Sequence, residues 1–179
     1  MTKAHELKIF LASSSELELE RAHVGDLVND INSHLLNTFF RIRLLKWEIF
    51  DHEFKGERKQ SEYNQQIKKS DIFLVLFRSK FGKFTIEEKD VALHEHTENQ
   101  KPKELYCFIQ EYQEKRDFDA RDLVKQLGSS FVMGSYMDTN ELKQNLLKIL
   151  KPHICSSGVH MTETEKYFII NSENFLRKK

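Results

Sequence analysis

The segment Ile72-Phe73-Leu74-Val75-Leu76-Phe77, set between Ser70-Asp71 and Arg78-Ser79, constrains this chain more than any other. A continuous apolar run so short, bounded by polar residues, reads as a strand with both faces covered, the position of a central strand in a parallel sheet. Parallel neighbours need crossover connections, usually helical, so the rest of the chain should alternate strand and helix.

The pattern does alternate. Leu7, Ile9, Phe10, Leu11 and Ala12 predict a first strand that stops at Ser13-Ser14-Ser15-Glu16. From Leu17 onward Ala22, Val24, Leu27, Val28, Ile31 and Leu35 recur at helical steps of three and four. A second strand is expected over about Phe39 to Lys46, then a polar loop from Trp47, then a mostly polar helix over about Arg58 to Lys68. Thr85 stands three residues before Glu88, a capping-box spacing that predicts a helix reaching about Thr97. Leu105 to Ile109 predict a fourth strand, Leu123 and Leu127 a short helix, and Phe131-Val132-Met133 a fifth strand. Leu142, Leu146, Leu147 and Leu150 predict a closing helix before Pro152. The expected fold class is α/β: a flavodoxin-like three-layer sandwich on a mostly parallel five-stranded sheet of order 2-1-3-4-5. Residues 1–152 make up this domain. Residues 153–179 are expected to be a C-terminal connector, with a helix over about Thr162 to Arg177 that either packs back on the domain or leads to further domains.

Charge and composition narrow the function classes. The 28 Lys plus Arg balance 28 Asp plus Glu, so no net basic surface favours nucleic acid as a partner. Cys107 and Cys155 form no disulfide framework, and no apolar run is long enough to span a bilayer. A cytoplasmic protein without a membrane partner is expected.

In open α/β sheets ligands gather beyond the carboxyl ends of the strands, where the strand order reverses. That rule selects the loops Ser13 to Glu16, Trp47 to Glu57 and Arg78 to Phe84. The hydroxyls of Ser13, Ser14 and Ser15 suit phosphate or ribose oxygens, and serve equally as helix caps. Arg21, Arg58 and Arg78 are candidate cations for a phosphorylated ligand, or solvated and structural arginines. Trp47 and Phe81 are candidate stacking surfaces, or core and loop anchors. Glu88 is the sharpest candidate. It shares a helix side with Phe84, Val91, Ala92 and Glu95, where a carboxylate is costly to bury, and it reads either as a capping-box residue or as a functional acid. No metal is expected: His94 and His96 diverge on a helix, and His153, Cys155 and His160 lack a fourth partner. The chain has no Walker pattern, no dinucleotide-binding glycine fingerprint and no serine elbow.

The runs Ile9 to Glu16, Glu57 to Asn64 and Asp71 to Phe77, together with Gly82 to Leu93, resemble the TIR-like domains of bacterial antiphage immune receptors over about residues 7 to 151. The resemblance implies that Glu88 is the catalytic glutamate. It places Ser13, Ser14 and Ser15, with Trp47, Arg58 and Phe81, around the ligand. It implies NAD as the substrate, cleavage of the nicotinamide–ribose bond to a linear or cyclic product, activity on self-association, and downstream sensor or NTPase domains. Phe84-Thr85 stand where a Trp-Cys pair often precedes the family's glutamate. The expected function is thus an NAD glycohydrolase or cyclase effector. Nicotinamide leaves from a cationic ring, so one carboxylate suffices for that chemistry. A catalytically silent interaction domain of the same fold and a nucleoside deoxyribosyltransferase-like glycosidase are the alternatives.

Overall fold

A computed structural model describes residues 5–36, 38–46, 59–80, 82–111, 118–164, 167–171 and 173–177. Strands β1 (His5–Ser13), β2 (Phe40–Leu45), β3 (Ile72–Phe77), β4 (Glu104–Gln110) and β5 (Val132–Tyr136) form one sheet of order β2-β1-β3-β4-β5. Every pairing in it is parallel, with Ile9 opposite both Leu44 and Ile72. Helices α1 (Glu18–His34), α2 (Lys59–Lys69), α3 (Lys83–Asn99) and α4 (Phe118–Leu127) lie in the four crossovers, and α5 (Thr139–Ser156) follows the last strand. The class and strand order are those the sequence predicts.

Alternation along β1 divides the core in two. Leu7, Ile9 and Leu11 pack with Val24, Leu27 and Ile31 of α1 and with Leu142, Leu146 and Leu150 of α5. Phe10 and Ala12 turn to the other face, with Tyr63 and Ile67 of α2, Ala92 of α3 and Leu127 of α4. All six residues of β3 are buried, as its position between two helical layers requires. At the edge, β2 alternates instead, leaving Arg41 and Arg43 in solvent. Cys107 on β4 is buried and Cys155 on α5 exposed, both as free thiols, and burial pushes the Cys107 thiol up to about 12.

Three local expectations are corrected. Helix α3 begins at Lys83 with Gly82 as its N-cap, and no side chain caps it. Thr85 therefore lies inside the first turn, buried, so the capping box does not form. Helix α5 continues through Pro152 to Ser156, because Ile154 extends the buried stripe of Leu147 and Leu150. That burial outweighs the one backbone hydrogen bond a proline withholds. Its start is capped by Asp138, which accepts from the N–H groups of Asn140 at 2.9 Å and Glu141 at 3.0 Å.

The third correction concerns the tail, where the predicted helix over 162–177 is instead a meander. Strands β6 (Met161–Glu163), β7 (Tyr167–Ile170) and β8 (Glu173–Arg177) pair antiparallel. Phe168 and Ile170 are fully buried with Val159 and Met161 against the α1 and α5 core, while Ile169 between them is half-buried. That is the two-residue period of a strand. Asn171 turns the chain at a positive φ of 50°, and its N–H donates to the carbonyl of His160.

Candidate active site

Helix α3 carries the sharpest candidate. Its inward stripe is Thr85, Glu88, Lys89, Ala92 and Glu95, at helical steps of three and four, whereas Phe84 faces solvent. Phe84, expected on the side of Glu88, thus lies off it, and Lys89 joins the stripe. Three of the stripe's five side chains are ionisable, and two of those have partners. Lys89 pairs with Asp90, and Glu95 lies 2.7 Å from the Lys68 ammonium while accepting from Asn99 Nδ2 at 2.6 Å. The Lys68 hydrogen bond and that of Asn99 hold Glu95 below the usual carboxylate range.

Glu88 is different. It is 7% exposed and makes no hydrogen bond or ion pair among the described residues. Desolvation, with the charge of Glu87 added, raises its carboxyl to about 8. Glu87 itself is exposed and accepts from Asn64 Nδ2 of α2 at 3.1 Å. One helix thus presents a charged, paired carboxylate at one end of its stripe and a protonated, unpaired carboxyl near the other. A groove of about 490 Å³ between α2 and α3 is lined by Asn64, Lys68, Val91 and Glu95 but not by Glu88.

The strand order reverses between β1 and β3, so the crevice lies between the loops that follow them. The serines occupy its β1 lip but not as a common floor for Glu88. Ser13 continues the β1 face that meets α1, and its hydroxyl accepts from Arg21 at 2.8 Å. The sheet therefore separates the Ser13 side chain from α3. Ser14 is buried and donates to Glu16 Oε1 at 3.1 Å, while Ser15 is exposed at the start of a short 3-10 turn, Ser15–Leu17. Of the three, Ser14 comes nearest to α3: its Cα is 3.9 Å from where a β-carbon on Gly82 would stand. Trp47, Arg58 and Phe81 lie outside the described residues.

The two candidate arginines among the described residues, Arg21 and Arg78, are built into the framework. Arg21, fully buried on α1, also donates to the Ser14 carbonyl at 2.8 Å. Arg78 leaves the end of β3, donates to Glu20 Oε1 at 2.7 Å, and reaches Gln110 Oε1 on β4 and the Glu16 carbonyl at 3.4 Å. Beside them the Tyr136 hydroxyl and Glu20 Oε2 are buried without a partner. Burial, with the negative charge of Glu20, pushes the Tyr136 hydroxyl well above its ordinary range.

The residue that sequence reasoning missed is Glu16. It accepts from the Ser79 N–H at 3.1 Å and the Lys80 N–H at 3.4 Å, and from the Ser79 hydroxyl at 2.7 Å. It joins the loop after β1 to the loop after β3 across 63 residues of chain. Partial burial works against ionisation, but the hydrogen bonds from Ser79, Lys80 and Ser14 prevail and hold Glu16 below its ordinary value. Only its place beside the switch point could have singled it out. Among the described residues no His, Cys, Asp and Glu cluster could hold a metal ion, and His153 is engaged with Glu104 at 3.0 Å. No helix among them is long and apolar enough to cross a membrane.

These features define a doubly wound α/β protein with a switch-point crevice and a buried, unpaired acid on the helix after β3. No family model matches the sequence, and no curated protein does. Among solved structures the chain is similar to the CMP N-glycosidase BcmB of Clostridium botulinum, at 17% identity over 78% of this chain and 97% of that one, with a TM-score of 0.50. It is also similar to the Flv1 flavodiiron core of Synechocystis sp. PCC6803, at 11% identity over 85% of this chain and 37% of that one, with a TM-score of 0.46. At such identities the first likeness is one of fold.

Proposed function

We propose that this chain is an N-glycosidase that cleaves the N-ribosidic bond of a nucleotide, with Glu88 the group that meets the reacting atoms. The observation that carries the reading is the state of that carboxyl: buried, without a partner among the described residues, and keeping its proton to about pH 8. A proton held that high is available at neutral pH for a leaving group that needs one.

The chemistry follows from the leaving group. When the C1′–N bond of a pyrimidine or purine nucleotide breaks, the bond's electron pair stays with the base, and protonated Glu88 supplies the proton that neutralises it. The carboxylate left behind faces an oxocarbenium-like C1′, stabilises it, and takes a proton from the water that adds there. One carboxyl group serves both steps. The fold shared with a CMP N-glycosidase supports this class of bond and makes CMP a first substrate to test.

NAD is the second reading, supported by the resemblance of Gly82 to Leu93 to the TIR helix. Nicotinamide departs from a cationic ring without any proton, so this reaction uses the ionised form of Glu88, and the pyridinium itself favours that form. In this reading turnover requires self-association and increases with protein concentration, in an effector of antiphage defence.

The test is product analysis with CMP, NAD and deoxynucleosides, on dilute and clustered protein, with kcat/KM followed against pH. For a neutral base, activity falls as pH rises through about 8; for NAD it rises over the same interval. Glu88→Gln abolishes either. Full turnover in that variant removes Glu88 from the reaction, and no turnover of any substrate at any concentration leaves a non-catalytic interaction domain as the function.

A further inference from the structure

The chemistry assigned to Glu88 makes no use of the four donors that surround Glu16. Oε1 of Glu16 accepts from the successive main-chain N–H groups of Ser79 and Lys80 and from the Ser14 hydroxyl, and Oε2 accepts from the Ser79 hydroxyl at 2.7 Å. Consecutive N–H groups converging with two hydroxyls on one negative group form an anion receptor. Both lips of the crevice build it, Ser14 from the end of β1 and Ser79-Lys80 from the end of β3. Two guanidinium groups stand behind it, Arg21 on the Ser14 carbonyl and Arg78 on the Glu16 carbonyl, with Arg78 also paired to Glu20. The Lys80 side chain is exposed beside it, and Glu16 itself is half-exposed, so the receptor is reachable from solvent.

We propose that Ser14, Ser79 and Lys80 form a binding site for a phosphate monoester, a sugar phosphate or nucleotide, and that Glu16 fills it at rest and yields it to the ligand. The present occupant is a carboxylate of the chain itself, tethered through the 3-10 turn. A phosphate monoester carries a third terminal oxygen and up to twice the charge, so it satisfies the same donors more fully. The tether makes Glu16 a competitor at an effective concentration on the order of millimolar, which weakens but does not abolish access in the unmodified chain. This inference rests on neither Glu88 nor cleavage of a glycosidic bond.

The experiment titrates isotope-labelled protein with inorganic phosphate and with ribose 5-phosphate, following the backbone amide resonances of Ser79 and Lys80. In Glu16→Ala both amides shift saturably, and the apparent affinity for phosphate is at least tenfold tighter than in the unmodified chain. Adding Ser79→Ala to that variant weakens binding severalfold. A gain for ribose 5-phosphate beyond that for phosphate identifies the esterified ligand as the class; equal affinity identifies free phosphate. Glu16→Gln keeps the side-chain volume if Glu16→Ala does not fold, and it shifts affinity in the same direction by less. A folded Glu16 variant whose Ser79 and Lys80 amides do not respond to phosphate, or that shows shifts only elsewhere, overturns the proposal and makes Glu16 a structural tie. Because the readout is binding, failure here leaves the glycosidase reading standing, and the converse also holds.

Discussion

Replacing Glu88 by glutamine should make the protein more stable, and by an amount that depends on pH in a defined way. The carboxyl has an ordinary value of 4.5, and desolvation, aided by Glu87, raises it to about 8 in the fold. Because the folded value lies above the unfolded one, the group's contribution is fully favourable below about pH 4.5. Each pH unit above that removes about 1.4 kcal/mol until the folded value is passed. The cost is about 3 kcal/mol at about pH 7 and about 5 kcal/mol on the alkaline side of the transition. A carboxamide has the shape and polarity of the protonated acid but no charge to desolvate. Glu88→Gln should therefore equal the unmodified chain at about pH 4 and exceed it by about 3 kcal/mol at about pH 7, a rise of roughly 6–12 °C in Tm for a domain of this size. Urea unfolding of both proteins at acid, neutral and alkaline pH, followed by circular dichroism, measures the difference directly. A gain independent of pH, or none at neutral pH, would mean that the carboxyl is solvated, and the reasoning that makes it an acid would fail with it. A stabilised variant without turnover is the pattern of a side chain retained for chemistry at the expense of folding.

Other perturbations probe the frame around the site. Gly134→Ala brings a β-carbon to 2.8 Å from the Phe108 ring, so unfolding should become easier by roughly 1–3 kcal/mol; an unchanged denaturation midpoint would show that the ring gives way freely. Arg21→Met strips the Ser13 hydroxyl and the Ser14 carbonyl of a buried donor and should cost roughly 2–4 kcal/mol in chemical denaturation, whereas a loss under about 1 kcal/mol would make the arginine dispensable. Phe168→Ala empties a fully buried site between the meander and the α1–α5 layer, with an expected cost of roughly 3–5 kcal/mol and faster proteolysis within the tail. If stability and cleavage rate both stay the same, the tail does not contribute to the core.

The sheet was legible because its signal is local. The apolar runs of β3 and β1 are each read from adjacent residues, and a parallel arrangement then leaves few topologies. The tail was misread for the converse reason. Phe168-Ile169-Ile170 is too short an apolar run to distinguish strand from helix, and what decides is a partner surface, the α1–α5 face, contributed by residues far away in sequence. Thr85 and Glu88 have the spacing of a capping box, but Gly82 takes the cap position and turns both side chains inward. The crevice was legible in location and not in content. Arginines at 21 and 78 and a glutamate at 16 gave no sign that they serve one another's loops, because those contacts close over spans as long as 63 residues.

The two thiols have a practical consequence. Cys155 sits at the surface of the last helix, whereas Cys107 is enclosed in the middle of the sheet with its proton held to about 12. An alkylating reagent therefore reaches the first without any opening of the fold and the second only when β4 opens to water. Counting modified cysteines over time by mass spectrometry thus gives a clock for the sheet's opening, with its own internal reference for reagent activity.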